Sequence, residues 1–182
     1  MKKLYSFITI TILGYWGCAD LLYEQKPPAI LWGESYAIET TFVLILNDNE
    51  LSGPIPPEIG NLTNLTTLNL TDNQLTGEIP PEIVNLEQLE RMYVQNNQLE
   101  GGITFISSLT NLKFLYLYNN QFSGEIPSEI GDLINLNYLK LYQNQFAGEL
   151  PLGIGNLTNL TILNLRNNQF TGELPLGIGN LT

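Results

Sequence analysis

Leu62 to Asn85 reads LTNLTTLNLTDNQLTGEIPPEIVN, and this stretch returns along the chain with a period of 24 residues. The leucines that open successive copies are Leu62, Leu86, Leu109, Leu133, Leu157 and Leu181, at spacings of 24, 23, 24, 24 and 24. One weaker copy precedes them, opening at Ile38. Within each copy the LxL core alternates as a strand does. Leu68 and Leu70 therefore take one face, and residues 67, 69 and 71 take the other. One short strand cannot bury its apolar face alone, so the copies must stack and pair into a parallel sheet.

The segment after each strand also recurs. The asparagines Asn49, Asn73, Asn97, Asn120, Asn144 and Asn168 stand in register where the chain turns into the stack. A side-chain amide both donates and accepts, which suits it to satisfy buried backbone groups from one coil to the next. Gly53, Gly77, Gly101, Gly124, Gly148 and Gly172 come next, then Pro56, Pro80, Pro127, Pro151 and Pro175. Proline fixes φ and lacks an N–H, so the GxIP segment is expected to be extended or turned, not helical.

The unit LxxLxxLxLxxNxLxGxIPxxIGN resembles the plant-type leucine-rich repeat, and the match covers 145 of 182 residues. "Plant-type" describes the repeat and does not identify an organism. The resemblance implies a leucine-rich repeat solenoid of the α/β horseshoe class. It has a parallel β-sheet on the concave face and a 3-10 or irregular convex side. Such stacks usually bind something along their length. The third unit departs from the pattern: Leu99 to Leu109 has lost one residue and its proline, with Thr104 in that place, so a local distortion of the convex loop is expected. The last two units share GELPLGIGNLT at 148–158 and 172–182, which suggests recent duplication.

Residues 1–18 are a different kind of sequence. Lys2 and Lys3 precede an apolar run from Leu4 to Leu13, and GYWGCA comes after it at 14–19. A basic head, a short apolar run and small residues after it describe a secretory signal. The run is shorter than the ~20 apolar residues of a membrane span. Gly17-Cys18 resembles the end of a bacterial lipobox, which implies lipidation of Cys18; Tyr15 and Trp16 depart from that pattern. Ordinary cleavage before Asp20 is the other route. Cys18 is the only cysteine, so the mature domain has no disulfide, and the paired-cysteine cap usual in extracellular plant receptors of this repeat type is missing. This favours an exported bacterial protein, at the cell surface or in the periplasm by a lipid anchor and otherwise secreted. Residues 19–37 are expected to form a tether, marked by Pro27-Pro28, and an N-terminal cap in which Ile30, Leu31 and Trp32 cover the first unit. Residues 38–182 then hold six units and a two-residue stub. No polar C-terminal cap is recognisable, so a longer protein or a covering partner is expected at that end.

Composition narrows the function. The net charge of −11 becomes −13 when Lys2 and Lys3 leave with the signal. An acidic surface argues against nucleic acid. There is no histidine and no Cys/His cluster, phosphate-cradling loop or nucleophile elbow. No catalytic residue, metal ligand or cofactor is expected. Glu78 with Glu82 and Glu125 with Glu129 read as a solvated loop face, because they repeat with the unit. Six Asn-Leu-Thr triplets, at Asn61, Asn64, Asn69, Asn156, Asn159 and Asn180, likewise read as repeat consensus before glycan acceptors.

One pattern stands above the consensus. The three outward strand positions of six units form three columns: Val43, Thr67, Arg91, Phe114, Tyr138, Ile162; then Ile45, Asn69, Tyr93, Tyr116, Lys140, Asn164; then Asn47, Thr71, Gln95, Tyr118, Tyr142, Arg166. These 18 positions hold all five tyrosines of the repeat tract and three of its four Lys and Arg residues. The fourth, Lys113, precedes Phe114. Strands about 4.8 Å apart make Tyr93 with Tyr116, Tyr118 with Tyr142, and Phe114 with Tyr138 lateral neighbours. The expected site is therefore concave: Arg91, Tyr93, Phe114, Tyr116, Tyr118, Tyr138, Lys140, Tyr142 and Arg166. Tyrosine offers an apolar body with a polar tip, and the cations suit an anionic group, so a peptide or glycan ligand is expected. Membrane contact would come only through an acylated Cys18, and oligomeric state is not legible. Tyrosine is also simply a good strand residue, and lateral aromatic ladders stabilise sheets by themselves. A passive surface spacer and the sensing ectodomain of a longer receptor stay open beside the recognition or adhesion module.

Overall fold

The computed structural model describes residues 26–181. The expected signal segment and the expected lipidation site at Cys18 lie outside the described residues. The rest is a stack of coils carrying two parallel six-stranded sheets and one small hairpin. The first sheet is built from Val43–Ile45, Thr67–Asn69, Arg91–Tyr93, Phe114–Tyr116, Tyr138–Lys140 and Ile162–Asn164, in chain order across the sheet. Its register pairs equivalent positions of successive units, as Leu68 with Met92 and Leu115 with Leu139. The central residue of each interior strand is fully buried: Leu68, Met92, Leu115 and Leu139 are all at 0% exposure.

A second parallel sheet was not anticipated from the sequence. It comprises Ser52–Gly53, Gln74–Glu78, Gln98–Gly101, Gln121–Gly124, Gln145–Glu149 and Gln169–Thr171. Its inward residues Leu75, Leu99, Phe122 and Phe146 are buried, while each preceding glutamine is exposed. That is strand alternation written too briefly to stand out beside the turn residues around it. Phe122, Phe146 and Phe170 stack along the solenoid axis at 6.3 and 6.4 Å.

The convex side is six five-residue 3-10 turns, at Pro57–Asn61, Pro81–Asn85, Thr104–Ser108, Ser128–Asp132, Leu152–Asn156 and Leu176–Asn180. Pro56, Pro80, Pro127 and Pro151 enter them extended, at ψ of 134° to 150°. Close packing between neighbouring turns leaves no room for a side chain at Gly131, where a Cβ would lie 2.7 Å from the Gly153 carbonyl oxygen. In the third unit the structure corrects the alignment. Ile103, not Thr104, occupies the entry position held elsewhere by proline, at φ −117° and ψ 29°, and Thr104 opens the turn itself. Without a proline to hold it extended, the entry residue bends. The turn survives because Phe105 and Ile106 are buried.

The asparagines bind coil to coil. Asn144 is buried; its Oδ1 accepts from the Phe122 N–H at 3.0 Å, and its Nδ2 donates to the carbonyls of Leu117, Leu141 and Tyr142 at 3.0, 3.0 and 3.4 Å. Asn73, Asn97, Asn120 and Asn168 repeat the pattern. The residue before each, as Asp72, Asn96, Asn119 and Asn167, is left-handed at φ of 54° to 57°, a region that Asn and Asp tolerate better than most residues.

At the N-terminal end, Ala29–Leu31 and Glu34–Tyr36 pair antiparallel around Trp32-Gly33, both at positive φ, the geometry of a tight hairpin turn. Ala29 and Leu31 face the core and Ile30 is 51% exposed. Strand alternation thus removes Ile30 from the expected covering set and adds Ala29. Trp32 packs against the core at partial exposure, its indole N–H buried without a hydrogen-bond partner.

Candidate ligand-binding face

Arg91, Tyr93, Phe114, Tyr116, Tyr138 and Lys140 lie within strands of the first sheet, on its outward side. Tyr118, Tyr142 and Arg166 lie two residues beyond their strands, where the chain bends towards the ladder asparagine. In the second and third units this last column is covered. Thr71 and Gln95 are 9% and 8% exposed, and Thr71 Oγ1 and Gln95 Oε1 have no partner. The column reopens at Tyr118, which is half-buried.

Register brings the aromatic side chains together. Tyr93 meets Tyr116 with ring centroids 5.0 Å apart and planes tilted by 55°. Phe114 and Tyr138 stack at 5.0 Å and 17°, and Tyr118 and Tyr142 at 4.3 Å and 9°. Contacts along a strand join the columns, with Tyr116 and Tyr118 at 6.3 Å. The cations lie on the rings: Lys140 Nζ is 4.5 Å from the Tyr116 centroid, Arg166 Cζ 4.9 Å from Tyr142, and Arg91 Cζ 5.4 Å from Phe114. These distances fall within cation–π range.

Burial sets the electrostatics. Tyr93, Tyr116 and Tyr118 have phenol pKa values raised, first by desolvation and then by neighbouring tyrosines: Tyr116 beside Tyr93, Tyr138 beside Tyr116, Tyr142 beside Tyr118. They stay neutral donors at neutral pH. Glu90 was missed by sequence reading. Its carboxylate reaches Lys113 at 2.9 Å and Arg91 at 3.5 Å, and the Lys113 hydrogen bond holds its pKa down. The signal was available, because Glu90 immediately precedes Arg91 and its strand. A second missed feature runs along the rim, where Asn96 donates to Asp72 Oδ1 at 2.6 Å and Asn119 to Asn96 Oδ1 at 2.9 Å.

Among the described residues no group of three or more His, Cys, Asp or Glu could hold a metal ion. None of the described helices is long and apolar enough to cross a membrane.

The repeat tract matches two family descriptions. "Leucine-rich repeat region" covers residues 100–182, and "Leucine Rich Repeat" covers 42–62 and 64–86. No curated protein matches the sequence. Solved structures do. A plant peptide hormone receptor, RGFR1 in complex with RGF2, is 39% identical over 77% of this chain and 22% of that one, with a TM-score of 0.73. This chain thus spans under a quarter of that receptor's length. The leucine-rich repeat ectodomain of the receptor kinase SOBIR1 from Arabidopsis thaliana is 32% identical over 71% of this chain and 73% of that one, TM-score 0.65. A plant ice-binding protein is 33% identical over 78% and 45%, TM-score 0.67. Paired parallel sheets, 3-10 convex turns, an asparagine ladder and these likenesses converge: the chain belongs to the leucine-rich repeat family.

Proposed function

We propose that this protein is an exported, non-catalytic recognition module that binds an extended peptide on its concave face across the third to fifth units. The observation that carries the reading is the concentration of five tyrosines and three cations on the outward positions of one sheet, in mutual contact. A spacer has no use for that clustering. The similarity to a receptor solved with a peptide hormone supports peptide over other ligand classes. The leader-like residues 1–18 support export, with Cys18 as the lipid attachment point on a cell surface or in a periplasm. Binding by residues 20–182 to a mixed panel of peptides and glycans, compared with the Tyr116→Ala/Tyr142→Ala variant, tests it. Capture of a peptide by the parent and not by the variant is the expected result. Equal capture by both would remove the concave face from the account.

A second reading rests on the other sheet. The exposed Gln74, Gln98, Gln121 and Gln145 sit beside Ser52, Thr76, Glu100 and Ser123 of the preceding unit, a regular polar lattice. Together with the likeness to a plant ice-binding protein, it supports ice binding by that face. Inhibition of ice recrystallisation, lost on Gln121→Lys/Gln145→Lys, is the expected outcome; an inactive parent ends this reading.

A further inference from the structure

Four of the six concave aromatic side chains, Phe114, Tyr118, Tyr138 and Tyr142, stand on edge in two stacks, while Tyr93 and Tyr116 are tilted. Phe114 and Tyr138 come from adjacent strands, and Tyr118 and Tyr142 lie two residues beyond the same two strands; each pair is stacked nearly parallel. Their faces therefore look along the solenoid, at each other, and their edges look out to solvent. Arg166 and Arg91 take further face area of Tyr142 and Phe114, and Lys140 takes that of Tyr116. An aromatic ring is electronegative on its face and electropositive at its edge. The strip thus turns ring edges, phenol O–H groups and cationic heads outward. Phe114 and Tyr142, each between a stacked ring and a guanidinium, have no open face left for stacking against a sugar.

The cations divide into two classes. Arg91 and Lys113 share the Glu90 carboxylate. Lys140 and Arg166 have no carboxylate within ion-pair distance among the described residues; their close partners are rings. The chain as a whole carries 18 acidic and 7 basic residues. An acidic ligand is repelled almost everywhere and welcomed here, which gives register and specificity.

Resting on the peptide reading, we infer that the concave strip selects an acidic peptide segment whose side-chain carboxylates seat at Lys140 and Arg166. Lys140 pairs in register with Asn164, and Arg166 lies two residues further on. Strand geometry puts their backbone positions roughly 8 Å apart. Carboxylates two residues apart on an extended peptide are separated by about 7 Å, so the fitting motif is Asp/Glu-x-Asp/Glu.

The test is fluorescence anisotropy with the purified full chain and three length-matched labelled peptide pools. One carries the Asp/Glu-x-Asp/Glu motif, one its Asn/Gln isosteres, and one Lys in the same places. The acidic pool is expected to bind about tenfold or more tighter than the isosteric pool, weakening as salt rises. Lys140→Gln/Arg166→Gln is expected to erase that preference while near-ultraviolet circular dichroism of the tyrosines is retained. Equal affinity for acidic and isosteric pools, or a preference untouched by the double variant, overturns the inference. If isosteric or Lys peptides bind best and lose binding in Tyr116→Ala/Tyr142→Ala, the acidic assignment falls and the peptide reading stands. If no pool binds at all, both fall.

Discussion

Thr67, Asn69 and Thr71 in the second unit occupy the same three positions as Tyr138, Lys140 and Tyr142 in the fifth. The inward residues behind them are the same, Leu68 and Leu70 against Leu139 and Leu141, and all four are fully buried. The turn asparagines Asn73 and Asn144 make equivalent bonds to the preceding coil. Two units with one scaffold thus present a small polar surface in one case and an aromatic, cationic one in the other. The inward pattern is dictated by stacking, which tolerates little else. The outward pattern is less constrained, and its departure from small polar residues in the third to fifth units is what the proposed recognition role rests on.

The comparison breaks most decisively at the scaffold. Asn144→Ala leaves the Phe122 N–H without its buried partner and takes one of two side-chain donors from the Leu117 carbonyl, which keeps Asn120, and a loss of about 2–3 kcal/mol in urea melts is expected. The same change at the exposed Asn49 removes one side-chain bond, to the Asn47 carbonyl, and is expected to stay within about 0.5 kcal/mol. Similar losses at the two ends would mean that the ladder carries no coil-to-coil load.

On the outward face the expected asymmetry is in binding. Tyr116→Ala/Tyr142→Ala should reduce stability by about 1–2 kcal/mol, the worth of two lateral pairs, and abolish peptide capture. Thr67→Ala/Asn69→Ala should leave capture intact, because those positions are outside the aromatic strip. Equilibrium unfolding and binding measured on the same samples separate the two effects, and loss of capture in both variants would spread the site over the whole concave face.

The strip should also give the fold an alkaline edge. Tyr93, Tyr116 and Tyr118 have raised pKa values in the folded chain because burial disfavours the phenolate. Their stabilisation is therefore complete below the unfolded value of about 10 and is lost as pH rises from there through the folded values. Urea melts between pH 9 and 12 should show that decline. A Tyr93→Phe/Tyr116→Phe/Tyr118→Phe variant should show less of it, while Tyr36 of the hairpin, whose phenol is also raised by burial, keeps its share. An unchanged slope would place the titration elsewhere.

Much of this was legible in the sequence because repetition averages over local noise. A period seen six times fixes the first sheet and its outward columns, and once strands pair in register the lateral neighbours are determined. The second sheet was not legible: its strands are two to five residues long and embedded among glycines and prolines, so turn chemistry masked the alternation. Ring orientation was beyond reach as well. A column of tyrosines is compatible with flat or upright rings, and only the 9° and 17° stacks decide for upright. Ile30 was misplaced because a short apolar run, Ala29 to Trp32, does not announce a hairpin whose turn residues are Trp32 and Gly33.

The smallest change sharpens the contrast within the strip itself. Glu90 is a third exposed and links Lys113 and Arg91, and exposed pairs of this kind are worth about 0–1 kcal/mol. Glu90→Gln should therefore leave thermal unfolding nearly unchanged. It should, however, convert Arg91 and Lys113 into cations without a carboxylate, the condition Lys140 and Arg166 already have. If ring edges and unpaired cations attract an acidic peptide, the variant should bind it more tightly, by about twofold to fivefold at low salt, with the gain disappearing as ionic strength rises. Acid cannot mimic the variant, because Lys113 holds the Glu90 pKa down and the peptide's own carboxylates protonate first. A variant with unchanged affinity at low salt would confine the anion-binding function to the fifth and sixth units, and leave the Glu90 cluster as a structural clamp between the third and fourth strands of the concave sheet.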